Sequence, residues 1–337
     1  MPWPAVRLPR VDRSTRPRRR NESENDVEDA ERRTSIPLPA LGLAAVPKRK
    51  RATLELAQEI ERREFAGIYC ASFGDAMGLS HSLAHVTSRI PFGTAIANLY
   101  MRHVTDYAAS AAMIQELSGG RFRFGVGVSH GPLNRRVGIE AGKPLSDTRA
   151  FVEKLRRVER VGELPPIVLA GLRKKMVALS AEIAEGVVFA NAARSHLPES
   201  LSALPARRRD DPAFFIGNMI PTCICEDIEA AAAVNRRTLT LYLGLPNYRN
   251  YWKEAGYVEE MEAVERALDA GQRDRLPDLM TDAWLSDCSL FGPPARVLDG
   301  LEAWYAAGLR TPILVPASAV GNQMKAFEEC FGLFDSL

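Results

Sequence analysis

The sequence predicts an α/β protein: a (β/α)8 TIM barrel with a helical insertion before the last strand and a disordered N-terminal tail. Three observations lead there. About eight short apolar segments recur along the chain, nearly all separated by segments with helical spacing of apolar residues. These short segments are apolar on both faces, as strands buried in a parallel sheet must be. Eight repeats within about 300 of the 337 residues suit a closed barrel better than an open doubly wound sheet.

The elements follow in order. The barrel is expected over 36–337, beginning with a buried strand within 38–46 and a helix over 52–63, where Leu54, Leu56, Ala57 and Ile60 fall on helical spacing. Strand 67–71 and helix 75–88 come next. Strand 92–97 leads to helix 103–117, which Gly119 and Gly120 stop. Strand 122–128 precedes helix 147–161, with Phe151, Leu155 and Val158 on one face. Strand 167–170, helix 174–185 and strand 187–190 repeat the rhythm, and 214–225 is the longest strand candidate. Helix 228–243 opens onto an irregular aromatic patch (Tyr248, Tyr251, Trp252, Tyr257) and helices over 259–270 and 275–286. These exceed one repeat, so about 245–290 reads as an insertion, its aromatics packing the insertion rather than lining a pocket. Helix 294–307, strand 312–315 and helix 321–334 close the chain.

Composition bounds the function. Apolar residues at 46% and charged residues at 26% describe a globular protein able to bury a sizeable core. A net charge of +2 supplies no field to attract nucleic acid or an anionic membrane. No apolar run approaches the roughly 20 residues of a spanning helix, so the cytoplasm is the expected compartment. Residues 1–35 differ from the rest: a basic cluster at 16–20, an acidic block at 22–31 and few large apolar residues mark a solvated, disordered tail, and the acidic block argues against a transit peptide. Five unevenly spaced cysteines make no disulfide framework. Cys223 and Cys225 lack zinc-knuckle spacing and read as alternate faces of a strand. His81 and His85 stand at i and i+4 without an acidic third ligand, so no metal site is expected.

A barrel places its site at the C-terminal ends of the strands. The candidates are Ser72, Phe73, Ala97, Asn98, Gly127 to His130, Ala170 to Leu172, Asn191, and the stretches 221–225 and 316–318. Gly127-Val128-Ser129-His130-Gly131 matches the G-x-S-x-G pattern of a nucleophile elbow. That motif needs a helix directly after the serine, whereas Pro132 and a polar stretch follow here, and only His196 lies downstream as a base. Gly125-Val126-Gly127 fails as a dinucleotide fingerprint, because its third glycine is one place late and no helix opens there.

The stretch 113–128, with Glu116-Leu117-Ser118-Gly119-Gly120-Arg121-Phe122 and Phe124-Gly125-Val126-Gly127, resembles the signature of the luciferase-like monooxygenase superfamily. Three further stretches agree in order. Phe92-Gly93-Thr94-Ala95-Ile96-Ala97-Asn98 with Arg102-His103 resembles the third strand and its continuation. Pro166-Ile167-Val168-Leu169-Ala170-Gly171-Leu172 with Ala184-Glu185-Gly186-Val187-Val188 resembles the fifth and sixth strands, and Phe291-Gly292-Pro293-Pro294 the box before the last strand. The likeness runs over roughly 38–334.

The resemblance implies an oxidoreductase transferring a hydride between coenzyme F420 and an organic substrate. It also implies cofactor contacts at Ala95, Ile96 and Asn98, at Gly127, Val128 and Ser129, and at Ala170, Gly171 and Leu172. The small residues would let backbone lie against the ring, where F420-using relatives often carry a cis peptide, and Asn98 would bond the pyrimidine edge. Gly171 and Leu172, with Arg173 and Lys174 opening a helix, would hold the phosphate. His130 would be the proton donor or substrate partner. Two alternatives remain open: an FMN-dependent monooxygenase served by a flavin reductase, and a barrel that binds cofactor without catalysis. A small organic substrate, an F420 or flavin reductase and a homodimer are the implied partners. Ser72 and Phe73 stand where many F420 relatives carry an Asp-His pair, which removes one familiar acid/base and counts against dehydrogenation of an alcohol. The short segment 160–165 leaves that side of the site more open.

Overall fold

The computed structural model describes residues 36–72 and 74–335; the tail expected at 1–35 and the candidate Phe73 lie outside the described residues. The strands are β1 (Ala40–Leu43), β2 (Ile68–Ala71), β3 (Phe92–Ala95), β4 (Ala97–Asn98), β5 (Phe122–Gly127), β6 (Ile167–Ala170), β7 (Gly186–Ala190), β8 (Phe215–Ile224), β9 (Leu290–Gly292) and β10 (Thr311–Ala317). All pairings are parallel, and β10 bonds both β8 and β1, closing the sheet into a barrel. β4 continues β3 after a cis peptide between Ala95 and Ile96, and β9 pairs only with the far end of β8. Eight positions therefore ring the barrel, as the repeat pattern predicts.

Its helices are α1 (Lys50–Arg62), α2 (Ala76–Val86), α3 (Val104–Leu117), α4 (Gly131–Arg136), α5 (Pro144–Arg156), α6 (Lys174–Ile183), α7 (Leu197–Leu201), α8 (Ala206–Arg209), α9 (Ile228–Leu243), α10 (Pro246–Glu254), α11 (Val258–Asp269), α12 (Asp282–Cys288), α13 (Pro294–Ala306) and α14 (Gln323–Asp335). Each long helix turns an apolar stripe to the barrel; in α1 it is Thr53, Leu56, Ala57 and Ile60. Carboxylates at Asp75 and Asp227 cap the starts of α2 and α9 by accepting from Gly78 and Ala230 N–H groups. No described helix is long and apolar enough to cross a membrane.

Three expectations are corrected here. A helix, α4, does follow Ser129 directly, because Pro132 sits in its first turn, where its missing N–H costs nothing. The aromatic patch is α10, opened by Pro246 and burying Tyr248, Tyr251 and Trp252 on one stripe. The single helix expected over 275–286 is a 3-10 segment (Arg273–Leu279) containing Pro277, then a break at Met280, then α12 with Thr281 as its cap.

Inside the barrel, Ala40, Tyr69, Ala95, Val168, Val188, Phe215 and Ile313 form a buried layer, with Ile96 and Met219 packed against it. The Tyr69 and Phe215 rings meet at 5.2 Å, and the Arg123 guanidinium lies 5.5 Å from the Phe215 centroid.

Candidate active site

Because all strands run one way, their C-terminal ends share one face, and a cavity of about 1370 Å³ opens there. Its floor crosses neighbouring strands: Ala71 and Ser72 at the end of β2, Ala95 and Ile96 at the β3–β4 junction, Val128 past β5, Ala170 on β6, Val188 to Ala190 on β7 and Met219 on β8. The cis peptide stands where the resemblance places one. Gly127 is what brings β5 against β6: a Cβ there would sit 2.6 Å from Ala170 Cβ.

Of the residues singled out by sequence, Ala95, Ile96, Val128, Ser129, His130, Ala170, Gly171 and Leu172 are brought together around this cavity. Gly127 and Asn98 are not on its wall. The carboxamide of Asn98 is held by the protein on both sides. Asn98 Nδ2 donates to Asn134 Oδ1 at 2.8 Å, and its Oδ1 accepts from the Tyr100 N–H at 3.1 Å. Asn134, 1% exposed, in turn donates to the Val128 carbonyl at 2.9 Å and so holds the end of β5 to α4. Gly171 lines the cavity and also serves close packing of β6 on β7: its N–H donates to the Val188 carbonyl, and a Cβ would meet Val187 at 2.6 Å. Ser129 has φ +55° and is followed by a helix, as in a nucleophile elbow, yet no described hydrogen bond joins it to a histidine. Among the described residues no group of three His, Cys, Asp or Glu side chains could hold a metal.

His130 precedes α4 and meets Tyr242 and Tyr248 edge-to-face, at ring separations of 6.0 and 5.7 Å. Its Nδ1 is buried without a partner. Nε2 makes no protein hydrogen bond either, but it is not sealed, so it is the nitrogen open to the cavity. Burial pushes the imidazole below its ordinary value of 6.5, because the charged form loses hydration that no carboxylate replaces. The sign follows. Below about pH 6.5 the unfolded chain takes up a proton that the folded site resists, so this group's contribution to stability is lost as pH falls through that range. An NMR titration of His130 should show a midpoint below 6.5; a midpoint at or above it contradicts this account.

The charged groups gather at the start of α6. Arg173 pairs with Glu254 of α10 and Lys174 with Glu199 of α7. Lys175 and Arg135 line the cavity without a carboxylate partner among the described residues. Lys174 and Lys175 open α6, so their backbone N–H groups precede its first internal bonds.

Sequence reasoning missed three cavity residues. Tyr100 lines the wall and donates to Asp147 Oδ2 at 2.5 Å; burial first, then that carboxylate, raise its phenol above the usual range. Asn134 carries no local signal, since its burial depends on three separate elements. The third is Tyr248, because the insertion does more than pack itself: α10 roofs the cavity with Asn247, Tyr248 and Glu254, joined there by Tyr242 of α9. Tyr251 and Trp252, both fully buried, fasten α10 from behind. Trp252 Nε1 donates to the Asn191 carbonyl at 3.2 Å, and Tyr251 Oη accepts from Ala193 N at 3.1 Å. Buried Asp287 of α12 completes the anchorage, accepting from Ser195 N and Oγ and from the Tyr257 hydroxyl.

Comparison with known proteins agrees with this architecture. A Mycobacterium tuberculosis protein named, provisionally, as a coenzyme F420-dependent oxidoreductase is 26% identical over 69% of this chain and 81% of its own length. The F420-dependent tetrahydromethanopterin reductase from Methanopyrus kandleri superposes with a TM-score of 0.68 at 19% identity, covering 87% of this chain and 97% of the other. The oxygenating constituent of 3,6-diketocamphane monooxygenase from Pseudomonas putida, in complex with FMN, gives 0.57 at 15%, covering 89% and 96%. The profile of the luciferase-like monooxygenase family matches residues 34–311, which include every strand but the last. With that profile match over a closed parallel barrel, the chain belongs to the luciferase-like monooxygenase family.

Proposed function

We propose that this protein is an oxidoreductase that transfers a hydride between coenzyme F420 and a small organic substrate. One observation carries the reading: a single cavity joins a floor of small apolar residues to the open start of α6. The F420-dependent relatives support the choice of cofactor. The residues present fit such a group. Ala95, Ile96, Val128 and Ala170 offer a flat apolar floor, and the α6 terminus with Lys175 offers N–H donors and positive charge to a phosphate. A bound deazaflavin supplies the hydride chemistry, and the protein supplies position and electrostatics.

His130 holds a proton at Nε2, beside the space left for substrate, and its depressed pKa keeps the imidazole neutral at pH 7. Helix α10 excludes water over that space. Ser72 offers the cavity neither carboxylate nor imidazole, and His130 is the imidazole set against Tyr242 and Tyr248 on its wall.

Titration of the full chain with F420 and, separately, FMN tests the reading. F420 should bind with micromolar or tighter affinity and quench its own fluorescence, with FMN at least about tenfold weaker. Binding of FMN alone would replace this reading with the monooxygenase one, and binding of neither would overturn both.

A further inference from the structure

The cavity is larger than one ligand needs: sites for drug-sized molecules run to roughly 1,000 Å³, and this one measures about 1370 Å³. Its lining is also divided. The pairs Arg173–Glu254 and Lys174–Glu199, with Lys175 beside them, put the ion pairs of the wall on the α6 side. Around His130 the wall is mostly aromatic and apolar: Tyr242, Tyr248, Phe189 and Met219 share the cavity with it, and the charge on its own helix, Arg135, is exposed to solvent. The three polar rings are mutually edge-to-face, with Tyr242 and Tyr248 at 5.0 Å. This cluster is built rather than loose. Tyr248 stacks on Trp252 at 5.4 Å, Trp252 bonds the Asn191 carbonyl, and Asn191 N donates to Met219 O on β8.

We propose that His130, Tyr242, Tyr248, Phe189 and Met219 form the substrate compartment, and that it takes a flat, uncharged aryl ketone or aldehyde whose carbonyl accepts from His130 Nε2. The proposal deepens the functional reading above and rests on it only for the word substrate. Three physical reasons select this class. Aromatic walls held edge-to-face favour a further ring by about 0.5–1.5 kcal/mol beyond area burial. A carboxylate set among Phe189, Tyr242 and Tyr248 would lose its hydration there, where burial of charge is costly, while Arg135 stays exposed to solvent. The imidazole proton is useful only on Nε2, because Nδ1 is sealed away from every acceptor, so the ligand must supply one. Burial also lifts the Tyr242 and Tyr248 phenols above the usual range, which keeps both neutral.

Calorimetric titration of the full chain without cofactor uses four probes: 2-acetylnaphthalene, 1-(2-naphthyl)ethanol, sodium 2-naphthoate and cyclohexyl methyl ketone. The aryl ketone should bind at least about tenfold tighter than each of the others. Equal affinities, tighter naphthoate or alcohol, or no binding at all would overturn the proposal. Tyr248→Leu should weaken 2-acetylnaphthalene by about tenfold, and an unchanged affinity in a folded variant would overturn it too. The probe ranking needs no variant, so misfolding cannot shelter the claim. It needs no cofactor either, so a failed F420 titration and a failed probe ranking report separately on the two readings.

Discussion

Gly125→Ala should abolish the native fold or lower its stability by more than about 4 kcal/mol, the range reserved for severe backbone conflict. A Cβ on Gly125 would lie 1.8 Å from the Thr94 carbonyl oxygen and 2.9 Å from its carbon. Both atoms are backbone, so no rotamer change relieves the contact. The two strands cannot part cheaply either. Thr94 Oγ1 donates to the Gly125 carbonyl at 2.6 Å, and Gly93, one residue earlier, has the same problem: its Cβ would stand 2.4 Å from the Arg123 carbonyl. The β5 strand is paired on both sides of this contact, with β3 at Phe92 and Gly93 and with β4 at Ala97 and Asn98, so it is pinned at both ends. Gly119→Ala is the control, since nothing lies within 4 Å of its Cβ and only the positive φ of 63° opposes it. Urea denaturation of the soluble variants measures both. A Gly125→Ala midpoint equal to that of the parent would show that β3 and β5 are not packed as described.

This explains what the family signature encodes. The stretch from Leu117 to Gly127 announces the fold, and most of it never touches the cavity. Gly125 and Gly127 set strand spacing. The site was legible for a different reason: strand ends in a barrel converge, so Val128 and Ala170 were found by position, and Ile96 by likeness. Asn98 was a positional candidate whose ring-edge role came from likeness, and its side chain is bound by Asn134, a residue whose role only tertiary structure creates. The barrel itself could be read because both-face apolar strands and one-face apolar helices differ in period. What escaped was short or proline-marked. Pro132 looked like a breaker, and the stretch after Pro246 looked irregular, though each proline sits in the first turn of a helix it helps to start. Tyr248, Tyr251 and Trp252 stand at i, i+3 and i+4, a helical stripe that also reads as a loop of aromatics when no cap is recognised.

Arg121→Ala should destabilise the barrel by about 3–5 kcal/mol, and Arg121→Lys should recover little of the loss. This arginine stands in the middle of the signature, and its guanidinium is committed to the protein. Nε donates to the Ser118 carbonyl at 2.8 Å, Nη1 to Thr87 Oγ1 at 2.8 Å and the Ile90 carbonyl at 2.9 Å, and Nη2 to the Thr87 carbonyl at 2.9 Å. Its planar head also lies 5.2 Å from the Phe92 centroid. One side chain thus satisfies the C-terminal carbonyls of α2 and α3 and the turn into β3, groups that helix ends leave unpaired. Glu61 completes the arrangement from α1 by accepting from the N–H groups of Ser88, Arg89 and Ile90. Truncation to alanine strands several carbonyls in a half-buried site, each costing about 1 kcal/mol or more. Lysine restores the charge but places its donors on one nitrogen, which cannot span carbonyls arranged for a fork. The measurable consequence is a large fall in the thermal midpoint for both variants, with cofactor affinity unchanged in whatever fraction stays folded. An Arg121→Ala protein of parental stability that had lost F420 binding would reverse the assignment and place this residue in the site.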